Sequence, residues 1–162
     1  MSQIEADLAI LGSGPGGYVA AIRAAQLGMK VAIIEKEKLG GVCLNVGCIP
    51  SKSLIHQAEI FNHAKESEKM GIKLDLSGFD YTKVFKKSRS AADRLSKGVA
   101  FLMKKNEIQV VEGTGKLTAP DTIEVEGEDG TQTVKASKIL VATGSRPREL
   151  SGFEFDEKQV LS

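Results

Sequence analysis

Residues 4–35 hold the pattern that most constrains this chain: an apolar strand, a glycine-rich turn, an alanine-rich helix and a second apolar strand. Ile4 to Leu11 alternates and then becomes continuously apolar, as a strand buried in a parallel sheet does. Gly12 to Gly17 interrupts it. Tyr18 to Leu27 then places apolar residues at helical spacing, and Gly28 is a suitable C-terminal stop. Val31 to Ile34 forms the second strand, which ends at Glu35. At about 32 residues this stretch has the size of a β-α-β crossover, so it predicts an α/β fold built on a parallel sheet.

The turn reads Gly12-Ser13-Gly14-Pro15-Gly16-Gly17, with glycines spaced as G-x-G-x-x-G. Gly12 permits a tight turn, Gly14 lets a pyrophosphate approach the backbone, and Gly17 lets the helix pack closely on the strand. The pyrophosphate would rest on the helix N-terminus, where free N–H groups and the dipole favour negative charge. Glu35 follows Gly17 by about 18 residues and can accept hydrogen bonds from the hydroxyls of an unphosphorylated ribose. Glycines in a turn are commonly just a turn. Here the strand before, the helix after and the acid at the right offset make dinucleotide binding the reading. The motif alone does not choose between NAD and FAD.

Beyond Glu35, Gly40-Gly41 opens an irregular loop, and a helix is predicted to run to about Lys65 with Pro50 in its first turns. Tyr81 to Lys105 is a second helical stretch, with Val84, Phe85, Ala92, Leu95, Val99, Leu102 and Met103 at helical spacing. Its basic residues, among them Lys86, Arg89, Arg94 and Lys97, read as a solvated outer face rather than an anion site. The period then changes to two. Ile108 to Val111, Thr122 to Val125 and Thr131 to Val134 read as strands, with Glu128-Asp129-Gly130 turning between the last two. Lys138 to Ala142 is a further buried strand, ending in Thr143-Gly144-Ser145-Arg146-Pro147. The order predicts a doubly wound, Rossmann-type α/β sheet with an antiparallel β-meander inserted at about 108–136. One domain is expected over 1–150, with 151–162 starting a connection to a further domain.

Composition removes other classes. Twenty-two basic against 21 acidic residues leave a formal charge of +1 with no basic stripe, a poor footprint for nucleic acid. No apolar run approaches the roughly 18 residues of a membrane span. Met1-Ser2-Gln3 leads straight into a strand without a signal peptide, so a cytoplasmic location is expected, or the mitochondrial matrix if a transit peptide has been removed.

The two cysteines of the chain, in a reducing compartment, point to catalysis or metal binding before structure. They lie in Gly40-Gly41-Val42-Cys43-Leu44-Asn45-Val46-Gly47-Cys48-Ile49-Pro50-Ser51-Lys52. At a helix start distorted by Gly47 and Pro50 they could close a compact, labile disulfide, and the dipole there favours a thiolate. Three other readings stay open: zinc, for which only His56 and His63 could complete the ligand set, two inert buried thiols, and a disulfide serving stability alone.

The string from Gly40 to Lys52 resembles the redox-active disulfide signature of the pyridine-nucleotide disulfide oxidoreductases. Its wording from Cys43 to Lys52 is most similar to the branch that oxidises dihydrolipoyl groups, and less so to glutathione, thioredoxin and mercuric reductases. Val141-Ala142-Thr143-Gly144-Ser145-Arg146-Pro147 resembles that family's second flavin-domain motif, and the resemblance covers essentially the whole chain. The resemblance implies FAD as a tightly bound, non-covalent cofactor and NAD as co-substrate on a domain beyond these residues. It implies that Gly12, Gly14, Pro15 and Gly17 hold the FAD pyrophosphate, with Glu35 and Lys36 at the adenosine ribose and Gly115 at the adenine end. Gly41, Val42, Lys52, Thr143, Gly144 and Ser145 would line the rest of the cofactor, Lys52 one helical turn past Cys48. Cys43 would be the outer thiol that exchanges with substrate, and Cys48 the inner thiol beside the flavin. His56 and His63 are read as surface residues. The implied partners are dihydrolipoamide on a lipoyl-bearing acyltransferase or carrier protein of a 2-oxoacid dehydrogenase complex, and a second copy in a homodimer that supplies the base. Without that base, these 162 residues alone are expected not to turn over lipoamide. Alternatives from the same resemblance are an NADPH-linked disulfide reductase and a non-catalytic FAD-binding module.

Overall fold

In the computed structural model, residues 3–128 and 130–162 are described. Met1 and Ser2 of the expected leaderless start, and Asp129 of the expected turn, lie outside them. The elements run β1 (Gln3–Leu11), α1 (Pro15–Gln26), β2 (Val31–Glu35), α2 (Gly41–Asn45), α3 (Cys48–Glu66), α4 (Tyr81–Lys105), β3 (Gln109–Glu112), β4 (Thr114–Ala119), β5 (Thr122–Gly127) and β6 (Gly130–Val141). A 3-10 turn over Ser67–Met70 follows α3.

The six strands form one sheet in the order β3-β2-β1-β6-β5-β4. Strands β3, β2, β1 and β6 are parallel, with Ile10 opposite Ile33 on one side and opposite Leu140 on the other. Strands β6, β5 and β4 are antiparallel. Successive side chains of a strand point to opposite faces, and the two cores follow from that alternation. Ile10, Val31 and Ile33 pack against Ala21 and Ala24 of α1 and Val99 and Met103 of α4. Ala9, Ala32, Ile34 and Val111 pack against Ile123, Val125, Val134 and Ala136 of the meander. The expected α/β sheet with an inserted meander is therefore the observed one. From β1 the chain steps outward through β2 to β3 with helices on one face. It then returns under the other face to set β6 beside β1. The reversal opens a crevice at the carboxyl ends of β1, β2 and β6, where such sheets bind ligands.

Four local expectations change. Helix α1 starts at Pro15, inside the glycine turn, because proline is favoured at a first helical position. Residues 41–45 form a short helix instead of an irregular loop. The stretches 131–134 and 138–142 are parts of one strand of 12 residues, whose first half pairs with β5 and whose later part pairs with β1. Residues 109–112 pair in parallel with β2, so the antiparallel region begins at β4 and not at 108. Pro50 sits in the first turn of α3, where its missing N–H costs no helical bond. Among the described residues no helix is long and apolar enough to cross a membrane.

Candidate dinucleotide and redox site

The glycine turn is built into the crevice. Gly12 N donates to Ile34 O at 2.9 Å and Ala142 N to Leu11 O at 2.8 Å, which joins the ends of β1, β2 and β6. Gly12 has φ +101°, and a Cβ there would run into the Ala142 carbonyl. A Cβ on Gly17 would strike the Gly12 carbonyl. Gly14 is different: a Cβ on it would meet nothing within 4 Å. It caps α1 with no side-chain bond, and the first turn carries no acidic residue. An uncapped helix N-terminus with open space at its glycine fits the phosphates of a dinucleotide.

Glu35 ends β2 beside this turn. Its Oε2 accepts from Ser13 N at 2.9 Å and Ser13 Oγ at 2.6 Å, and its Oε1 accepts from Glu37 N at 2.9 Å. Burial works to raise its pKa. The hydrogen bonds from the Ser13 hydroxyl, then from the N–H groups of Glu37, Ser13 and Lys36, outweigh it and hold the carboxyl below the usual glutamate range. Glu35 also borders a cleft of about 240 Å³ with Leu39, Ser96, Val110 and Glu112, at the carboxyl ends of β2 and β3. Lys36 next to it is exposed, with Nζ 3.6 Å from Glu37.

Cys43 in α2 and Cys48, the first residue of α3, are joined in a disulfide with their Cα atoms 4.7 Å apart. The readings that left two free thiols, as zinc ligands or as inert cysteines, are set aside by that bond. The link to the glycine turn is direct. Gly40 N donates to Ser13 O at 3.1 Å, and a Cβ on Gly41 would lie 2.8 Å from Gly14 Cα. Helix α2 therefore begins against the glycine turn and carries Cys43 two residues later. Cys43 is half-buried and Cys48 exposed.

The family model described as pyridine nucleotide-disulphide oxidoreductase matches residues 6–161, nearly the whole chain. The chain belongs to this family. Dihydrolipoyl dehydrogenase of Manduca sexta is 48% identical over 98% of the chain and 32% of its own length. Those of Bacillus subtilis (strain 168) and Geobacillus stearothermophilus are each 48% identical, over 98% and 96% of the chain and 34% and 33% of the relatives. The chain thus spans about a third of the length of the curated relatives it matches. Among solved structures, the Cu(II) complex of HOCl-induced flavoprotein disulfide reductase RclA from Escherichia coli has a TM-score of 0.76 at 23% identity. It covers 90% of the chain and 30% of that protein, and it shows the fold.

For a member of this oxidoreductase family, the structure brings most of the sequence-read residues together. Gly12, Gly14, Pro15, Gly17, Glu35, Gly41, Thr143 and Gly144 meet at one end of the sheet. Val42 and the disulfide follow on α2 and the start of α3, and Thr143, Gly144 and Ser145 are exposed on the exit from β6. Lys52 lies on the exposed side of α3. Gly115 sits on β4, and its absent side chain makes room for Leu11, Ile123 and Ile34. His56 and His63 are exposed, as expected, and His56 Nδ1 lies 3.7 Å from Glu59.

Four working residues escaped the sequence reading. Ser13 is fully buried between Glu35 and Gly40. Asn45 Nδ2 holds Leu39 O at 3.1 Å and Gly41 O at 3.0 Å. Ser96 Oγ holds the same Leu39 carbonyl at 2.8 Å. Arg89, expected on a solvated face, is half-buried with Nη1 on Asn45 O at 2.9 Å. The spacing of Arg89 and Ser96, two turns apart on α4, was the available signal.

Proposed function

We propose that this chain is the part of a dihydrolipoyl dehydrogenase that holds FAD and exchanges electrons with a dithiol at Cys43–Cys48. The carrying observation is the position of the disulfide: at the N-terminus of α3, on a segment seated against the uncapped turn of Gly14. The names of the relatives support the choice of substrate.

Gly12, Gly14 and Gly17 would admit the pyrophosphate, with the Gly16 and Gly17 N–H groups facing it, and Glu35 with Lys36 would flank the adenosine ribose. Thr143, Gly144 and Lys52 would border the isoalloxazine. FAD bound there supplies two-electron carriage toward NAD⁺. The chain's own step is thiol–disulfide exchange. A dihydrolipoyl thiolate attacks Sγ of Cys43, the Cys43–Cys48 bond breaks, and Cys48 leaves as a thiolate. The second substrate thiol, once deprotonated, attacks the mixed disulfide and releases Cys43. The substrate leaves as a cyclic disulfide, oxidised by two electrons, and the cysteine pair holds those electrons. The start of α3 suits a leaving thiolate, since a helix N-terminus favours negative charge. The lipoyl group would arrive on an acyltransferase or carrier protein.

FAD titration of the purified chain, followed by dithiol reduction under an absorption spectrometer, tests this reading. Support is a flavin spectrum that gains a long-wavelength band on reduction and loses it in C48S. A colourless protein whose two thiols titrate freely defeats it.

A further inference from the structure

The Asn45 carbonyl lies inside the loop closed by the disulfide, and a side chain 44 residues away in sequence holds it. Arg89 Nη1 donates to Asn45 O at 2.9 Å. One helical turn along, Asp93 Oδ1 lies 4.0 Å from Lys38 Nζ. Nearly one turn further, Ser96 Oγ bonds Leu39 O at 2.8 Å. Residues spaced by four and three lie on one face of a helix, so α4 presents a single surface to residues 38–45. Asn45 closes the network from within through its bonds to Leu39 O and Gly41 O.

Arg89 is not a solvated lysine-like charge that happens to lie near. Its Nε is buried and makes no hydrogen bond, and its Cζ lies 5.9 Å from the Phe85 ring. Burying part of a guanidinium without a partner is unfavourable. The favourable term opposite it is the charge-assisted bond to Asn45 O, a carbonyl in the last turn of α2 where helical partners run out.

We propose that Arg89 is a positioning residue for the Cys43–Cys48 couple: by clamping the Asn45 carbonyl it holds the two sulfurs where they close on each other. It thereby sets how readily the pair is reduced. The inference rests on the proposed redox role of the pair. Reduction by dithiothreitol breaks the one S–S bond, leaves two cysteine thiols and closes the reagent to its own cyclic disulfide. In the reduced chain, a fixed Asn45 keeps the thiols close and their effective concentration high. Without the clamp the thiols sample wider separations, and the disulfide is less favoured.

The test is the midpoint of the couple in the 162-residue chain, measured in buffers of reduced and oxidised dithiothreitol with thiol trapping and mass spectrometry. R89A should weaken the disulfide equilibrium by about tenfold, the worth of one charge-assisted bond, which moves the midpoint about 30 mV less negative. R89K, which keeps a donor, should recover most of it. S96A should shift it the same way by less. V134A removes a fully buried side chain from the meander core on the other face of the sheet, so it should lower Tm and leave the midpoint in place. If R89A does not fold, S96A against V134A carries the comparison. A pair that cycles in the parent chain with an unchanged midpoint in R89A and S96A overturns the assignment, and so does an equal shift in V134A. A pair that cannot be reduced and re-formed in the parent chain sinks the redox reading itself.

Discussion

Gly14 and Gly17 stand three residues apart and face opposite constraints. At Gly17 a Cβ would collide with the Gly12 carbonyl and approach Ile10 Cγ2 to 3.5 Å, so the glycine serves the packing of α1 on β1. At Gly14 the backbone has φ −62° and ψ −177°, which any residue adopts, and the space beyond it is open. G17A should therefore cost about 1–3 kcal/mol in denaturant melts, through overpacking against backbone. G14A should melt within about 0.5 kcal/mol of the parent and bind FAD at least tenfold more weakly. Parent-like FAD binding by G14A would remove the phosphate from this turn. The close packing at Gly17 and the open backbone at Gly14 were legible from spacing, because the motif encodes backbone geometry. The use of Glu35 was legible only in part: the sequence marked an acid at a strand end, but nothing in a lone Ser13 announced its two bonds to that acid. Those bonds hold the Glu35 carboxyl below its ordinary range. Ionised Glu35 thus stabilises the folded chain above the usual glutamate pKa of about 4.3, and the contribution is lost as pH falls through the depressed value. Melting temperatures of the parent and E35Q should therefore differ at neutral pH and converge as pH falls through that lowered value. A gap that stays constant with pH would refute this account.

At the scale of elements, what the sequence hid was what other elements impose. Strand β4 has an exposed, polar pattern with only Gly115, Ala119 and Gly113 nearby withdrawn from solvent, so period-two reading has little to catch. It is a strand because it pairs with β5, and Gly115 lets it lie close over the sheet. Strand β6 looked like two pieces because Lys135, Ser137 and Lys138 interrupt its apolar run, yet Val134 and Ala136 keep facing the meander core. Helix α2 is too short for any periodicity, and Arg89 was lost among neighbouring basic residues that are in fact exposed. By contrast β1, α1, β2 and α4 were legible, since each buries a face whose period is written in the sequence. The Gly115 contact makes a prediction for the element. An added Cβ would lie 2.5 Å from Leu11 Cδ1, 3.1 Å from Ile123 Cγ2 and 3.2 Å from Ile34 Cγ2. G115A should cost about 1–3 kcal/mol and speed amide exchange in β4 and β5 before that in β2. Uniform loss of protection across the sheet would show that the meander is not what the glycine seats.

For the whole molecule, the decisive feature is that two cores share the same strands. Ala9 and Ala32 face the meander while Ile10 and Ile33 face the helices, so neither layer can separate without exposing β1 and β2. The candidate site draws on both: Leu11, beside the glycine turn, packs with the meander core, and Ala142, against which Gly12 is pressed, packs with the helix core. Ile33 and Ile123 are fully buried on opposite sides of the sheet. I33A and I123A should each cost about 2–5 kcal/mol, the usual range for truncating a buried isoleucine. Both should move one and the same transition, with the near-ultraviolet signal of Tyr18, packed at the helix core, coinciding with the far-ultraviolet signal of the strands. Both should also weaken FAD binding, although neither side chain lies in the glycine turn, because binding linked to a folded state falls as the unfolded fraction grows. If I123A melts the strands first and leaves the Tyr18 transition where it was, the meander is a separate unit. The site would then depend on the helix side alone.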